Sequence, residues 1–259
     1  MPADPPPILQ RKRDWRAAIV ALRKLLAEGG DTVQVFRIMR ALNVGIPRRN
    51  YLRLIETVEG GRIAYDRVEL VSRLSDLGVI EGFAEGTVGA AYRDFLNASG
   101  FSGEGLAEIS RADSLDREAR HPYAWMARRV RDTHDIWHVL TGYRADEPFG
   151  EACLVAFSYA QVGGLGWAAI GVGGMVKALR QPEGRTLARA IREGYRRGRR
   201  AAWLIGEDYE ALLAEPLVSA RIRLKIADAP LYLQAEMLRA AHGHADIPDL
   251  SAAGVAGAA

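Results

Sequence analysis

The sequence predicts an all-α fold, a single-domain helical bundle. Three observations lead there: apolar residues recur at intervals of three and four along most of the 259 residues, no stretch alternates apolar and polar side chains as a half-buried strand would, and glycines and prolines fall at the ends of the periodic stretches. With 49% hydrophobic and 26% charged residues, the chain has the composition of a globular protein that buries one core.

The first amphipathic helix is predicted from Asp14 to Leu26, where Trp15, Ala18, Ile19, Leu22 and Leu26 recur between basic residues and Gly29-Gly30 supply a stop. Asp31 or Thr32 caps a second, with Val35, Ile38, Met39 and Leu42 on one face and Pro47 at its end. Tyr51 to Thr57, Arg67 to Leu77 and Gly86 to Asn97 follow as helices, the last closed by Ser99-Gly100. Pro122 sits where a first helical turn tolerates proline, and one continuous pattern runs from Tyr123 through Val139 to Gly142. After an apolar segment beyond Pro148, helical stretches are predicted over 183–213, 216–226 and 231–241. Residues 1–12 are expected to be a flexible lead, 13–244 the domain and 245–259, rich in alanine and glycine, a mobile tail.

The N-terminus shows no apolar stretch of the secretory kind. A single cysteine, Cys153, excludes an internal disulfide framework and reads as a small buried hydrophobe.

Chemistry concentrates in the helix before Gly142. At about 100° per residue, His134 and His138 project about 40° apart, and Asp135 stays within the same quarter-turn. Imidazole nitrogens and carboxylate oxygens suit Zn2+, with Fe2+ as the alternative, and Glu151, beyond the turn marked by Gly142, Pro148 and Gly150, offers a fourth ligand from the next element. The site would then lie between two helices. The spacing also fits two other readings: ordinary helix residues with no ligand, and a zinc peptidase in which Asp135 replaces the glutamate of His-Glu-x-x-His, although the shorter acid reaches a bound water less well.

The segment His134-Asp135-Ile136-Trp137-His138 through Gly150-Glu151 closely resembles the coenzyme Q (ubiquinone) biosynthesis protein 4 family, with weaker likeness at Gly86-Thr87-Val88-Gly89 and His121-Pro122. The resemblance covers roughly residues 30 to 235. It implies an all-helical protein with His134, Asp135, His138 and Glu151 as metal ligands. The family places its glutamate after eleven residues, whereas twelve separate His138 from Glu151 here, so the Arg144 to Pro148 connection must absorb one and Glu147 is the fallback ligand. The resemblance further implies action on a polyprenylated hydroxybenzoate, removing the ring carboxyl at C1, with oxygen insertion in the same step left open. The alternative is a non-catalytic lipid-binding scaffold that organises other ubiquinone-biosynthesis proteins. Arg131, seven residues before His138, is the candidate cation for the substrate carboxylate, with a solvent-exposed arginine as the competing reading.

Ala152 to Val176 contains no charged residue or histidine, a length that would span a bilayer, yet six of its 25 residues are glycines. Two buried segments joined by a glycine-rich bend are therefore expected, either as plain core or as the lining of an apolar tunnel beside Phe157, Leu165 and Trp167. Arg185, Arg189, Arg192, Arg196 and Arg199 draw a basic stripe along one helical face. Without interleaved aromatics it fits an anionic membrane surface better than nucleic acid, and a solvated face equally. The expected setting is cytoplasmic, peripheral on the inner face of the membrane, with a homodimer left open.

Overall fold

The computed structural model describes residues 12–28, 32–99 and 120–243. Gly29-Gly30, Asp31, Gly100 and the tail from 245 therefore lie outside the described residues, as do residues 1–11 of the expected lead. No strand occurs among the described residues; one isolated bridge joins Thr87 to Pro216. The all-α expectation holds.

Helices α1 (Trp15–Glu28) and α2 (Thr32–Leu42) form a hairpin around a small core of Ala18, Ala21, Ile38, Ala41 and Leu42. Pro47 does not end α2 as expected. It opens α3 (Ile46–Leu54), where its missing N–H costs nothing, behind Gly45 at φ 78°. The helix expected over 51–57 ends at Leu54 within α3, and helix α4 (Val58–Asp66) has no counterpart in the sequence reading. Thr57 caps it by accepting from Gly60 N at 3.0 Å, and a Cβ on Gly60 would lie 1.9 Å from the Leu54 carbonyl oxygen. The single helix expected over 67–77 is two short ones, α5 (Leu70–Leu74) and α6 (Leu77–Glu81), separated where Asp76 caps the second.

Helix α7 (Val88–Ser99) is followed by α8 (Pro122–Asp132) and α9 (His134–Thr141). The continuous helix expected from Tyr123 to Val139 is thus broken at Thr133, whose hydroxyl donates to the Arg129 carbonyl four residues back at 2.9 Å. Such back-bonding bends a helix.

The apolar run divides as expected into α10 (Pro148–Val162) and α11 (Leu165–Leu179), with Gly163 at φ 70° and Gly164 at φ 102° forming the bend. No helix among the described residues is long and apolar enough to cross a membrane. The two halves differ, however. Helix α10 is core, burying Cys153, Leu154 and Phe157, and burial raises the Cys153 thiol pKa. Helix α11 buries only Gly166, Gly173 and Ala178, so the expectation of two buried segments fails for the second. Its small residues bring it close to α10, Trp167, Ile170 and Met175 pack inward part-buried, and Leu165, Val172, Val176 and Leu179 are exposed. Phe157 is fully buried, Trp167 packs against the core and Leu165 is exposed.

Helix α12 (Gly184–Arg200) packs along α10 through Gly194 and Gly198. The helix expected to run on to 213 instead stops at Ala201, and a 3-10 turn (Leu204–Gly206) precedes α13 (Tyr209–Ala214), α14 (Leu217–Arg223) and α15 (Pro230–Ala241). The main core joins α3–α15, α11 entering it through Ala178, with Trp137, Tyr92, Tyr209 and Phe157 its largest fully buried side chains.

Candidate metal centre

His134 and His138 lie one turn apart on α9, and Glu151 lies in the first turn of α10. Each of the three offers a ligand atom, and these atoms all lie within 4.8 Å of one another. His138 Nε2 is 3.1 Å from Glu151 Oε1, and His134 Nε2 is 3.5 Å from Glu151 Oε2. The spacing anomaly is resolved: the connection between α9 and α10 takes up the extra residue, and Glu151 still reaches both imidazoles. Glu147, the fallback, faces away into an ion pair with Arg239, which also holds Glu236.

The bond at the far side of His138 decides what its ring offers. Nδ1 lies 2.8 Å from the Tyr143 carbonyl oxygen, which can only accept, so Nδ1 carries the hydrogen. In the neutral ring Nε2 is then a bare lone pair aimed at a carboxylate 3.1 Å away. Two acceptors at that distance repel unless a proton or a cation stands between them. For metal–ligand bonds of about 2.0–2.2 Å, tetrahedral geometry puts neighbouring ligand atoms about 3.3–3.6 Å apart; the observed 3.5 Å falls inside that range and 3.1 Å just below it. The donor set of two imidazoles and one carboxylate therefore fits a divalent ion of the zinc or ferrous type.

Without such an ion the same contacts show in the proton affinities. Burial lowers the pKa of His134, but the Glu151 hydrogen bond and charge outweigh it, for a net rise above 6.5. Burial raises that of Glu151, and the facing imidazoles outweigh it and hold the carboxyl well below the usual range. His138 is fully buried and stacks on Phe95, with ring centroids 5.8 Å apart, whereas the Glu151 side chain is 39% exposed. The site is anchored on one side and open on the other.

Asp135 falls outside the converging trio. It sits in the first turn of α9, where a negative charge suits the helix N-terminus, and burial raises its pKa despite the nearby histidines. Arg131 is not the exposed arginine of the competing reading: its side chain is 3% accessible and its Nε donates to Asp132 Oδ1 at 2.6 Å.

Gly142 marks the turn as the sequence predicts, whereas the arginines that hold it escaped the sequence reading. Gly142, at φ 76°, ends α9 and donates to the His138 carbonyl. The last carbonyls of α9 are capped by two arginines from distant helices: Arg221 donates to Val139 and Leu140, and Arg197 to Thr141 at 2.9 Å. Arg197 also donates to Ala227 and lies 4.8 Å over the Tyr143 ring, pinning the turn whose carbonyl orients His138. Cations at a helix C-terminus oppose its negative pole as well as satisfying its carbonyls. The available signal was an arginine at a core position of α12, in register with Leu187, Ala190, Ile191 and Gly194. Arg197→Lys keeps the charge but loses the two-carbonyl fork, so unfolding free energy in urea is expected to fall by about 1–3 kcal/mol, with weaker metal binding.

The fold and site together describe an all-α protein in which a helix-borne His-x3-His pair converges with a carboxylate from the next helix. Residues 18–230 match the family described as coenzyme Q (ubiquinone) biosynthesis protein Coq4, and the chain belongs to that family. It is 31% identical over 131 residues to the "Ubiquinone biosynthesis protein COQ4, mitochondrial" of Pyricularia oryzae, covering 51% of this chain and 41% of that one. It is 29% identical over 177 residues to the mitochondrial "Ubiquinone biosynthesis protein COQ4 homolog" of Rattus norvegicus, covering 68% and 64%. The chain thus spans less than two thirds of the length of these relatives. A crystal structure from Nostoc punctiforme PCC 73102 shares the fold, with a TM-score of 0.63 at 24% identity over 84% of this chain and all of that one.

Proposed function

We propose that this chain acts in ubiquinone biosynthesis, with its metal centre serving the loss of the C1 carboxyl from a polyprenylated hydroxybenzoate. The observation that supports this reading most is His138: its hydrogen-bonded Nδ1 commits Nε2 to face Glu151 and His134 across a gap of metal-ligand size. A bound Zn2+ or Fe2+ would supply Lewis acidity toward the substrate carboxylate.

The chain's own residues perform the rest. His138, buried and held by Tyr143 and Phe95, fixes the donor geometry, while Glu151 and His134 lie on the accessible side where a planar aromatic acid approaches. Asp135 stands beside the site, its pKa raised by burial against the pull of the two histidines. In the reaction the bond between C1 and the carboxyl carbon breaks, CO2 leaves, and the electron pair left on C1 takes up a proton. Arg131, buried and paired with Asp132, is the proposed cation for the carboxylate. The proposed partners are the aromatic lipid, a membrane surface and other ubiquinone-biosynthesis proteins.

The test is the purified chain with a short-tailed prenyl hydroxybenzoate, followed by mass spectrometry with each metal and with chelator. Metal-dependent loss of CO2, abolished in His134→Ala, is the expected result. No turnover with either metal, reduced or oxidised, in a protein that nevertheless binds metal and lipid favours the scaffold reading over the lyase.

A further inference from the structure

Helix α11 is the most apolar helix of the described chain, yet only one side of it is covered: Trp167, Ile170 and Met175 pack inward, and a row of aliphatic residues lies outside. Leu165, Val172, Val176 and Leu179 are all exposed, Val172 by 64%, and at 100° per residue they fall within about 60° of one another. They form one straight aliphatic ridge along the helix. The neighbouring α1 repeats the arrangement: Trp15, Ile19 and Leu26 are exposed within about 40° of the helix circumference, and exposed Lys12, Arg16 and Arg23 occupy the next 60° or so. On its other packing contacts α11 meets α12, whose Arg185, Arg189, Arg192, Arg196 and Arg199 are all exposed. The one acidic residue in α12, Glu193, is spent on the backbone N–H groups of Leu231 and Tyr232.

We propose that the α1–α11 face is a docking surface for an anionic lipid bilayer, with the ridge of α11 and Trp15 entering the headgroup–acyl boundary and the basic residues of α1 and α12 at headgroup level. An apolar ridge bordered by arginine and lysine is the arrangement of a helix lying in the plane of an anionic interface. Charge selects this occupant over a second copy of the chain, because two such faces brought together would oppose basic residues with basic residues. The face also adjoins the candidate site: a Cβ on Gly174 would lie 3.2 Å from the Ala152 side chain, and Ala152 follows Glu151. A lipid lifted from the bilayer along α11 arrives at the helix that carries that carboxylate.

The test is co-flotation of the full chain with phosphatidylcholine vesicles, with and without phosphatidylglycerol. Binding is expected to the anionic vesicles alone and to weaken as salt rises. Val172→Asp with Val176→Asp is expected to lose at least about tenfold in partitioning. Charge reversal at Arg189, Arg192 and Arg196 is expected to remove the anionic preference, and both variants to retain the wild-type melting temperature because the residues are exposed. His138→Ala should float as wild type does, which separates this surface from the metal reading. A wild-type chain that stays at the bottom of the gradient with anionic vesicles overturns the proposal. So does a valine double variant that floats normally but changes from oligomer to monomer, since a second copy would then be the occupant.

Discussion

Replacing His138 with alanine is expected to lower the affinity for Zn2+ by at least about a hundredfold, measured by competition with a chromophoric chelator. The size follows from position. His138 is fully buried, its ring is fixed by the Tyr143 carbonyl, and its Nε2 stands at one corner of the trio, so no neighbouring group moves in to replace it. Glu151→Gln should cost a comparable amount by removing the carboxylate charge. Asp135→Asn provides the contrast: Asp135 lies outside the converging ligand atoms, so a loss below about tenfold is expected. A loss equal to that of His138→Ala would place Asp135 in the coordination sphere. The pH dependence has a definite sign. Protons compete for His134, whose pKa is raised above 6.5, so metal affinity is expected to fall as pH drops through that region and to level off above it. In the metal-free protein, the contribution of Glu151 to stability is present above its unfolded-state pKa and is lost as pH falls toward its depressed folded value.

Gly194→Ala is expected to destabilise the fold by about 3 kcal/mol, the upper part of the overpacking range. A Cβ at that position would lie 2.5 Å from the Cys153 carbonyl oxygen and 3.3 Å from the Tyr143 hydroxyl. One turn later, a Cβ on Gly198 would lie 2.5 Å from the Phe157 carbonyl oxygen. The obstructing atoms are backbone, so relief requires α10 and α12 to separate along the closest helix contact of the core, and for a chain of this size the melting temperature should drop by about 6–12 °C. Displacing α10 also displaces Glu151, so weakened metal binding should accompany the loss of stability. Gly61→Ala is the control: a Cβ there meets nothing within 4 Å on a helical residue, and stability should stay the same or rise by up to about 1 kcal/mol. Equal stability of Gly194→Ala and wild type would show that the two helices are not held at this separation.

The helical class was legible in the sequence because amphipathic spacing is a local property, and most of the longer helices fall close to where the periodicity puts them. The errors were also local in origin. The helix that Thr57 caps went unread, and Pro47 marked a start rather than an end because proline serves both places. Within the site, His134 and His138 were readable from their spacing on a single helix. Periodicity and spacing thus supply an inventory: an all-helical chain, two imidazoles sharing a face, and an apolar run bent by glycine. That Glu151 closes on the two imidazoles while Glu147 turns to Arg239 follows from the fold, because one added loop residue alters no local pattern but changes which carboxylate the loop presents. The fold likewise makes Arg197 and Arg221 cap the ligand helix from more than fifty residues away, and leaves Leu165, Val172, Val176 and Leu179 of α11 outside. Periodicity tells which residues share a face; what that face meets depends on contacts between residues far apart in the chain.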